Sequence, residues 1–326
     1  MSRSASRGRA DRRQFDVPDL VARARGGEPR AVARLISLVE DESSALREAM
    51  GLLAPHTGRA QVVGITGAPG VGKSTSTNAI VTAVRAGGRR VGVLAVDPSS
   101  PFSGGALLGD RIRMGDHAGD KGVFIRSMAA RGHLGGLSWS TPQAVRVLDA
   151  AGFDVVLIET VGVGQSEVEV AGLADSTIVL LAPGMGDGIQ AAKAGILEVG
   201  DLYVVNKADR DGAAQVARDL RSMLALAQRR PDAWHPPVLK TVAASGDGVA
   251  EVVTALDEHR AWSIATGELQ RRRERRARAE VEAIAVAALR ARLAQVGDHA
   301  EIGALAAAVV AGESDPYTAA DRLLEG

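Results

Sequence analysis

The chain has 326 residues, 46% hydrophobic and 24% charged, which is enough for one large α/β domain with appendages or two smaller domains and excludes a globally disordered chain. Lys+Arg and Asp+Glu both number 39, so no net field draws the chain to nucleic acid or to an anionic membrane, and any polyanion must be held by a local site. The absence of cysteine excludes disulfides, thiolate zinc sites, iron–sulfur ligation and a cysteine nucleophile.

Residues 1–13 are polar and basic and read as a disordered tail. The opening MSRSASRGRADRRQ is followed by no signal-peptide core, and no apolar run approaches the ~20 residues that span a bilayer. The expectation is a soluble, cytoplasmic protein with neither membrane nor nucleic acid among its partners. Residues 14–57 form a helical lead-in: Leu20, Val21, Ala24, then Val32, Leu35, Ile36, Val39, then Leu46, Met50, Leu53 recur at helical spacing, interrupted at Gly26 and Gly27.

At Gln61 the period changes. Short apolar runs at 61–66, 90–96, 122–127, 153–159, 176–182, 201–206 and 237–242 alternate with longer amphipathic stretches. Continuous apolar strands separated by helices predict an α/β domain at 58–265, a doubly wound, mostly parallel sheet covered on both faces. Residues 266–326 read as a helical arm in which Val281, Ile284, Ala285, Ala288, Leu289 and Leu293 line one face. Such a stripe needs a partner, and both a second copy and the chain's own domain would serve. The run Arg271, Arg272, Arg273, Glu274, Arg275, Arg276 reads as a solvated helix face rather than a nucleic-acid site.

The first strand runs into Gly67, Ala68, Pro69, Gly70, Val71, Gly72, Lys73, Ser74, the pattern G-x-x-x-x-G-K-[ST], and a helix pattern of Thr77, Ile80, Val81 and Val84 follows, with Thr75 also expected to bind nucleotide. The glycines let the backbone wrap so that successive N–H groups point at phosphates, and the helix start adds the positive end of its dipole. Lys73 supplies a mobile charge for the β/γ oxygens, and the Ser74 hydroxyl is placed to ligate Mg²⁺. The run at 153–159 ends in Glu159, where D-x-x-G loops carry Asp, with Gly162 placed to donate its N–H to a γ-phosphate. The run at 90–96 is followed by Asp97, a second carboxylate at the same sheet edge. Strand-end carboxylates also cap helices, and for Glu159 and Asp97 both readings stand at this point.

The sixth run ends in Asn206, Lys207, Ala208, Asp209, an N-K-x-D. Guanine presents two donors on one edge that a carboxylate accepts together, whereas adenine lacks the 2-amino group, so Asp209 would select guanine. The Lys207 stem can lie against the ring while Asn206 ties this loop to the phosphate loop. Downstream, 241–248 resembles the T-S-A-x-x-G-x-G base loop, with Ala243, between Val242 and Ala244, placed for its N–H to meet guanine O6. Only five of the 39 basic residues are lysine, and Lys73 and Lys207 are two of them.

With these residues in place, the stretches 96–114, 126–137, 159–170 and 181–209 make the chain resemble the MeaB/ArgK family of P-loop GTPases associated with adenosylcobalamin-dependent acyl-CoA mutases. The resemblance implies a homodimer joined through the C-terminal arm, and a GTP-hydrolysing chaperone that gates cofactor loading and protects the mutase. It places Asp97 and Asp110 in a first switch, joining Ser74 and Glu159 around magnesium, and Lys193 in a third switch facing the mutase. Lys73, Asp97, Asp110, Glu159, Gln165 and Lys193 are the residues expected to serve hydrolysis. Many GTPases place Gln directly after the glycine of D-x-x-G. Here Val163 follows Gly162 and Gln165 stands three positions on, which predicts slow intrinsic turnover. The competing readings are a P-loop kinase and a metallochaperone GTPase. The first is opposed by Asn206 and Asp209, the second by six scattered histidines and no cysteine. Asp110, Arg111 and Arg113 have a surface-salt-bridge alternative, and His133 reads as a hydrogen-bonded loop residue.

Overall fold

The computed structural model describes residues 16–41, 43–98, 115–117, 119–130, 140–160, 166–184, 197–226, 230, 232–296 and 299–325. All seven apolar runs are strands: β1 (Gln61–Thr66), β2 (Val91–Pro98), β3 (Val123–Ala130), β4 (Val155–Thr160), β5 (Ser176–Leu181), β6 (Leu202–Val205) and β7 (Val238–Lys240). They form one parallel sheet in the order β3-β2-β4-β1-β5-β6-β7. β1 is central, with β4 on one side and β5 on the other, so the chain reverses direction across the sheet at its carboxyl end. That is the crevice where α/β folds bind ligands. β2 and β3 run two or three residues beyond their apolar stretches, in continuous register from Val91↔Val123 to Pro98↔Ala130.

Among the described residues the helices used below are α1 (Val17–Arg25), α2 (Pro29–Glu40), α3 (Leu46–Leu53), α4 (Lys73–Ala86), α5 (Ser140–Ala150), α6 (Ser166–Leu173), α7 (Ala213–Leu226), α8 (Val249–Ala265), α9 (Glu268–Val296), α10 (His299–Val310) and α11 (Pro316–Glu325). Alternate strand residues face opposite layers. Val63, Ile65, Leu157, Ile178 and Val204 pack with Ile80, Val81 and Val84 of α4 and Val252 and Leu256 of α8. Leu94, Met128 and Val156 face the other way, onto Ala144, Val147 and Leu148 of α5.

The helical lead-in belongs to that second core. Val32, Leu35 and Ile36 of α2 and Leu20 and Val21 of α1 are buried in the same cluster as α5, each side chain contributing roughly 1.5–3 kcal/mol of burial. An ion pair fastens this layer to the sheet: Arg126 of β3 meets Glu40 of α2 at 2.6 Å, with Ser37 Oγ 3.3 Å from the same guanidinium nitrogen. At the amino edge, the Asp149 carboxylate accepts the backbone N–H groups of Gly58, Arg59 and Ala60 and closes α5 onto the approach to β1.

The chain divides into two compact units, Met1–Gly267 and Glu268–Gly326. In the second, Glu268 accepts hydrogen bonds from Arg271, Arg272 and Arg275, so one carboxylate offsets part of the arginine run's charge within its own helix. Val281, Ile284 and Leu289 are 66%, 41% and 57% exposed. No helix among the described residues is long and apolar enough to cross a membrane.

Candidate functional site

The loop between β1 and α4 is shaped by three glycines with positive φ, Gly67, Gly70 and Gly72. Two of them also face steric exclusion. A Cβ on Gly67 would run into the Leu180 carbonyl of β5, and one on Gly72 would stand 2.5 Å from Asn206 Nδ2. Helix α4 begins directly after Gly72, which has no side chain to cap it, so the first-turn N–H groups and the dipole's positive end face the loop. Lys73 is 8% exposed, and its ammonium donates to the carbonyls of Gly67 and Ala68 at 2.6 and 3.1 Å. The charge is held inside the curve of the loop, where α/β proteins place the terminal phosphates.

Glu159 is 1% exposed. It lies in register with Ile65 of β1 and Ala95 of β2, and its Oε1 accepts the Ser74 hydroxyl at 2.5 Å. The carboxylate therefore reaches across to the first turn of α4 next to the phosphate loop. Two hard oxygen atoms converge there, a donor set that suits magnesium, which keeps several water ligands and takes oxygen only.

The second loop system joins the first through Asn206. Its Nδ2 donates to the Val71 carbonyl at 2.9 Å, while its Oδ1 accepts the Thr241 hydroxyl at 3.2 Å and the Ala243 N–H at 3.1 Å. One amide thereby ties together the phosphate loop, the end of β6 and the 241–248 loop. Lys207 adds a strut, Nζ to the Gly70 carbonyl at 2.7 Å. It is the one non-glycine residue with positive φ among those described, at 56°, a conformation that costs on the order of 1–3 kcal/mol and persists where its surroundings impose it. The Ala208 N–H donates to the Thr241 carbonyl, which sets the exposed Asp209 beside the 241–248 loop. That loop is closed by the Val242↔Asp247 bridge and by a hydrogen bond from Ser245 Oγ to Asp247.

The structure thus brings together Gly67, Ala68, Pro69, Gly70, Val71, Gly72, Lys73, Ser74 and Glu159 on one side and Asn206, Lys207, Asp209, Val242, Ala243 and Ala244 on the other. One detail differs from the motif reading. The Ala243 N–H, expected to meet a base carbonyl, donates to Asn206, because the loop's turn at 242–246 points that amide back at β6. Thr241 was not singled out as a site residue, although it opens the base-loop motif. Asp97 lies within β2, near its carboxyl end, and its side chain lies outside what is described. Asp110, Gly162, Gln165, Lys193 and His133 lie outside the described residues.

Comparison with known proteins agrees with this geometry. Residues 32–298 match the family model described as methylmalonyl-CoA mutase-associated GTPase MeaB. A protein of Pyrococcus horikoshii with the provisional name of GTPase is 45% identical over 95% of this chain and 98% of its own. GTPase ArgK of Escherichia coli is 39% identical over 79% of this chain and 80% of its own. The crystal structure of a LAO/AO transport system kinase superposes with a TM-score of 0.69 at 30% identity, covering 95% of this chain and 96% of that one.

Proposed function

The chain belongs to the MeaB family of methylmalonyl-CoA mutase-associated GTPases, and from that premise we propose that it is a guanine-nucleotide-gated chaperone for an adenosylcobalamin-dependent acyl-CoA mutase. It binds and hydrolyses GTP in the cytoplasm, works as a homodimer, and uses the nucleotide cycle to gate cofactor loading and protect the mutase. The observation that carries the nucleotide part of this reading is the Asn206 amide, which locks the phosphate loop and the base loop into one unit. The mutase part is supported by the family description, and by a mouse relative, methylmalonic aciduria type A homolog, 37% identical over 82% of this chain and 68% of its own.

In this reading the backbone N–H groups of the 67–72 loop other than Pro69, which has none, take the phosphates together with Lys73 and Thr75, and Asp209 takes the guanine edge. Asn206 and Lys207 hold the two loops in register, with Val242, Ala243 and Ala244 bordering the base. Ser74, Asp97, Asp110 and Glu159 would hold magnesium, which when bound would supply positive charge against the phosphates. Lys73 holds its positive charge at the same oxygens as water displaces the γ-phosphoryl group, giving GDP and phosphate. Gly162 would donate its N–H to the γ-phosphate, Gln165 stands nearest in sequence to a water-orienting position, and Lys193 would face the mutase. With Val163 directly after Gly162, intrinsic turnover is slow and a partner surface completes the site. The exposed Val281, Ile284 and Leu289 of α9 supply the apolar face for dimerisation.

The test is a pull-down from the source cell with and without a non-hydrolysable GTP analogue. Recovery of a cobalamin-dependent mutase in a nucleotide-dependent manner is expected. Recovery of a transport protein or a nickel enzyme instead would overturn the assignment.

A further inference from the structure

Among the described residues, four buried oxygen atoms near the carboxyl end of the sheet have no hydrogen-bond partner: Thr66 Oγ1, Thr141 Oγ1, Gln143 Oε1 and Thr160 Oγ1. Their residues are 0%, 0%, 6% and 1% exposed. Buried polar groups are paired in the great majority of cases, and an orphan forfeits its hydration without return. None of the four serves the nucleotide site.

The strands put them on one face. Ile65 and Leu157 pack towards α4, where Glu159 reaches Ser74, while Val62 and Ile158 point the opposite way. By alternation Thr66 and Thr160 share the face of Val62 and Ile158. The ladder pairs Gly64↔Ile158 and Ile65↔Glu159, so Thr66 and Thr160 stand at its next step, on strands about 4.8 Å apart. Helix α5 covers this face. It links two parallel strands and therefore runs antiparallel to them. Leu148 lies over Gly92, where a Cβ would stand 2.8 Å from its Cδ1, and Val145 packs against the cluster of Val62, Val96 and Ile158. Thr141 is one turn before Val145 on the same helix face. From Leu148 back to Thr141 the helix rises about 10 Å, as do three residues of strand. Counted from Gly92, that reaches Ala95 and Val96, and Val96 is in register with Thr160. Three hydroxyls, two from the sheet and one from the helix, thus come to one level between the layers, with Gln143 in the same turn of α5.

We propose that Thr66, Thr141 and Thr160, extended by Gln143 Oε1, hold ordered water in a buried site between α5 and the β1–β4 step. Water matches the set: hydroxyls both donate and accept, the amide oxygen accepts, and a buried water takes roughly two to four such partners. None of the four groups is ionised, so they offer an ion no counter-charge. Thr66 directly precedes Gly67 and Thr160 directly follows Glu159. The water therefore lies behind the roots of the phosphate loop and of the Glu159 carboxylate, on the face away from Ser74, and bridges both roots to α5.

The test joins a high-resolution crystal structure of the parent with melting temperatures of Thr66→Val, Thr141→Val, Thr160→Val and the double variant Thr66→Val/Thr160→Val. Valine keeps the shape and deletes the hydroxyl. Expected are a solvent peak within hydrogen-bond distance of at least two of the hydroxyls, and a melting temperature lowered by about 2–4 °C in each single variant. The double variant should lose less than the sum, because both changes disrupt the same water. If the double variant does not fold, Thr141→Val/Thr160→Val carries the same comparison. A dry site gives the opposite sign: each valine removes an unpaired hydroxyl and raises the melting temperature, which overturns the proposal. Lowered melting temperatures with no solvent peak overturn it too, since the hydroxyls would then bond directly to protein.

Discussion

Asn206 Nδ2 donates to the Val71 carbonyl at 2.9 Å, joining residues 135 apart in sequence. At 3% exposure the amide is shielded from water, and all of its described contacts are to the loops that it joins. The phosphate loop and the base loop are thus preorganised as one surface, and little ordering remains to be done when nucleotide binds.

Asn206→Ala leaves the Val71 carbonyl, the Thr241 hydroxyl and the Ala243 N–H without this partner, each loss costing about 1–3 kcal/mol where water cannot substitute. The expected outcome is a fall in GTP affinity of about 100-fold or more, read by calorimetry, with a lowered melting temperature. Parental affinity would show that the two loops bind independently.

Gly72→Ala combines a φ of 94° with a Cβ 2.5 Å from Asn206 Nδ2. The strained backbone alone costs on the order of 1–3 kcal/mol, and the contact displaces Asn206. Expected are loss of measurable GTP binding and a drop in melting temperature larger than that of Gly88→Ala, which also has positive φ but meets nothing.

Glu159→Ala removes the acceptor of the Ser74 hydroxyl, and Ser74→Ala removes the donor. Single-turnover GTP hydrolysis should fall by about 100-fold or more in each, while GDP binding measured without Mg²⁺ stays near parental. Equal loss of GDP binding under that condition would assign Glu159 to shaping the loop rather than to the metal.

Much of this was legible in the sequence. Each strand falls on a short apolar run, and the phosphate and base loops carry their own glycine and N-K-x-D patterns. What was not legible depends on contacts between distant residues. Nothing local to Glu40 or Arg126 announces that they pair across 86 residues, yet that pair fixes the lead-in to the sheet. The apolar run at 90–96 stops before Asp97, but pairing with β3 carries β2 on through Pro98. Ala243 was placed from its motif alone, and only the turn at 242–246 reveals which way its N–H points.

Arg126→Met tests the attachment of the lead-in. The pair is 25% and 18% exposed, so breaking it leaves a partly buried carboxylate and should cost roughly 1–3 kcal/mol. Hydrogen exchange should quicken in α1 and α2 before it changes in β1. Uniform change across the unit would mean that the ion pair is incidental.

Acid should loosen the last helix. Asp315 caps α11 by accepting the Tyr317 and Thr318 N–H groups and the Thr318 hydroxyl, and the hydroxyl foremost holds its carboxyl below the ordinary value of 3.8. A depressed folded-state value means that the stabilisation is present above 3.8 and is lost as pH falls through the lower folded value. Order in α11, followed by NMR, should decline in that window, and Asp315→Ala should abolish the pH dependence. A variant that retains it would place the titrating group elsewhere.

The central claim is that a single carboxylate at Asp209, held by the Asn206 network, makes this phosphate site specific for guanine. The most direct measurement is calorimetric competition of GDP against ADP on the parent and on Asp209→Ala. The account predicts a preference for GDP of about 10⁴-fold or more in the parent, collapsing in the variant while phosphate-dependent binding persists. Comparable ADP affinity in the parent, or an unchanged preference in the variant, would contradict it.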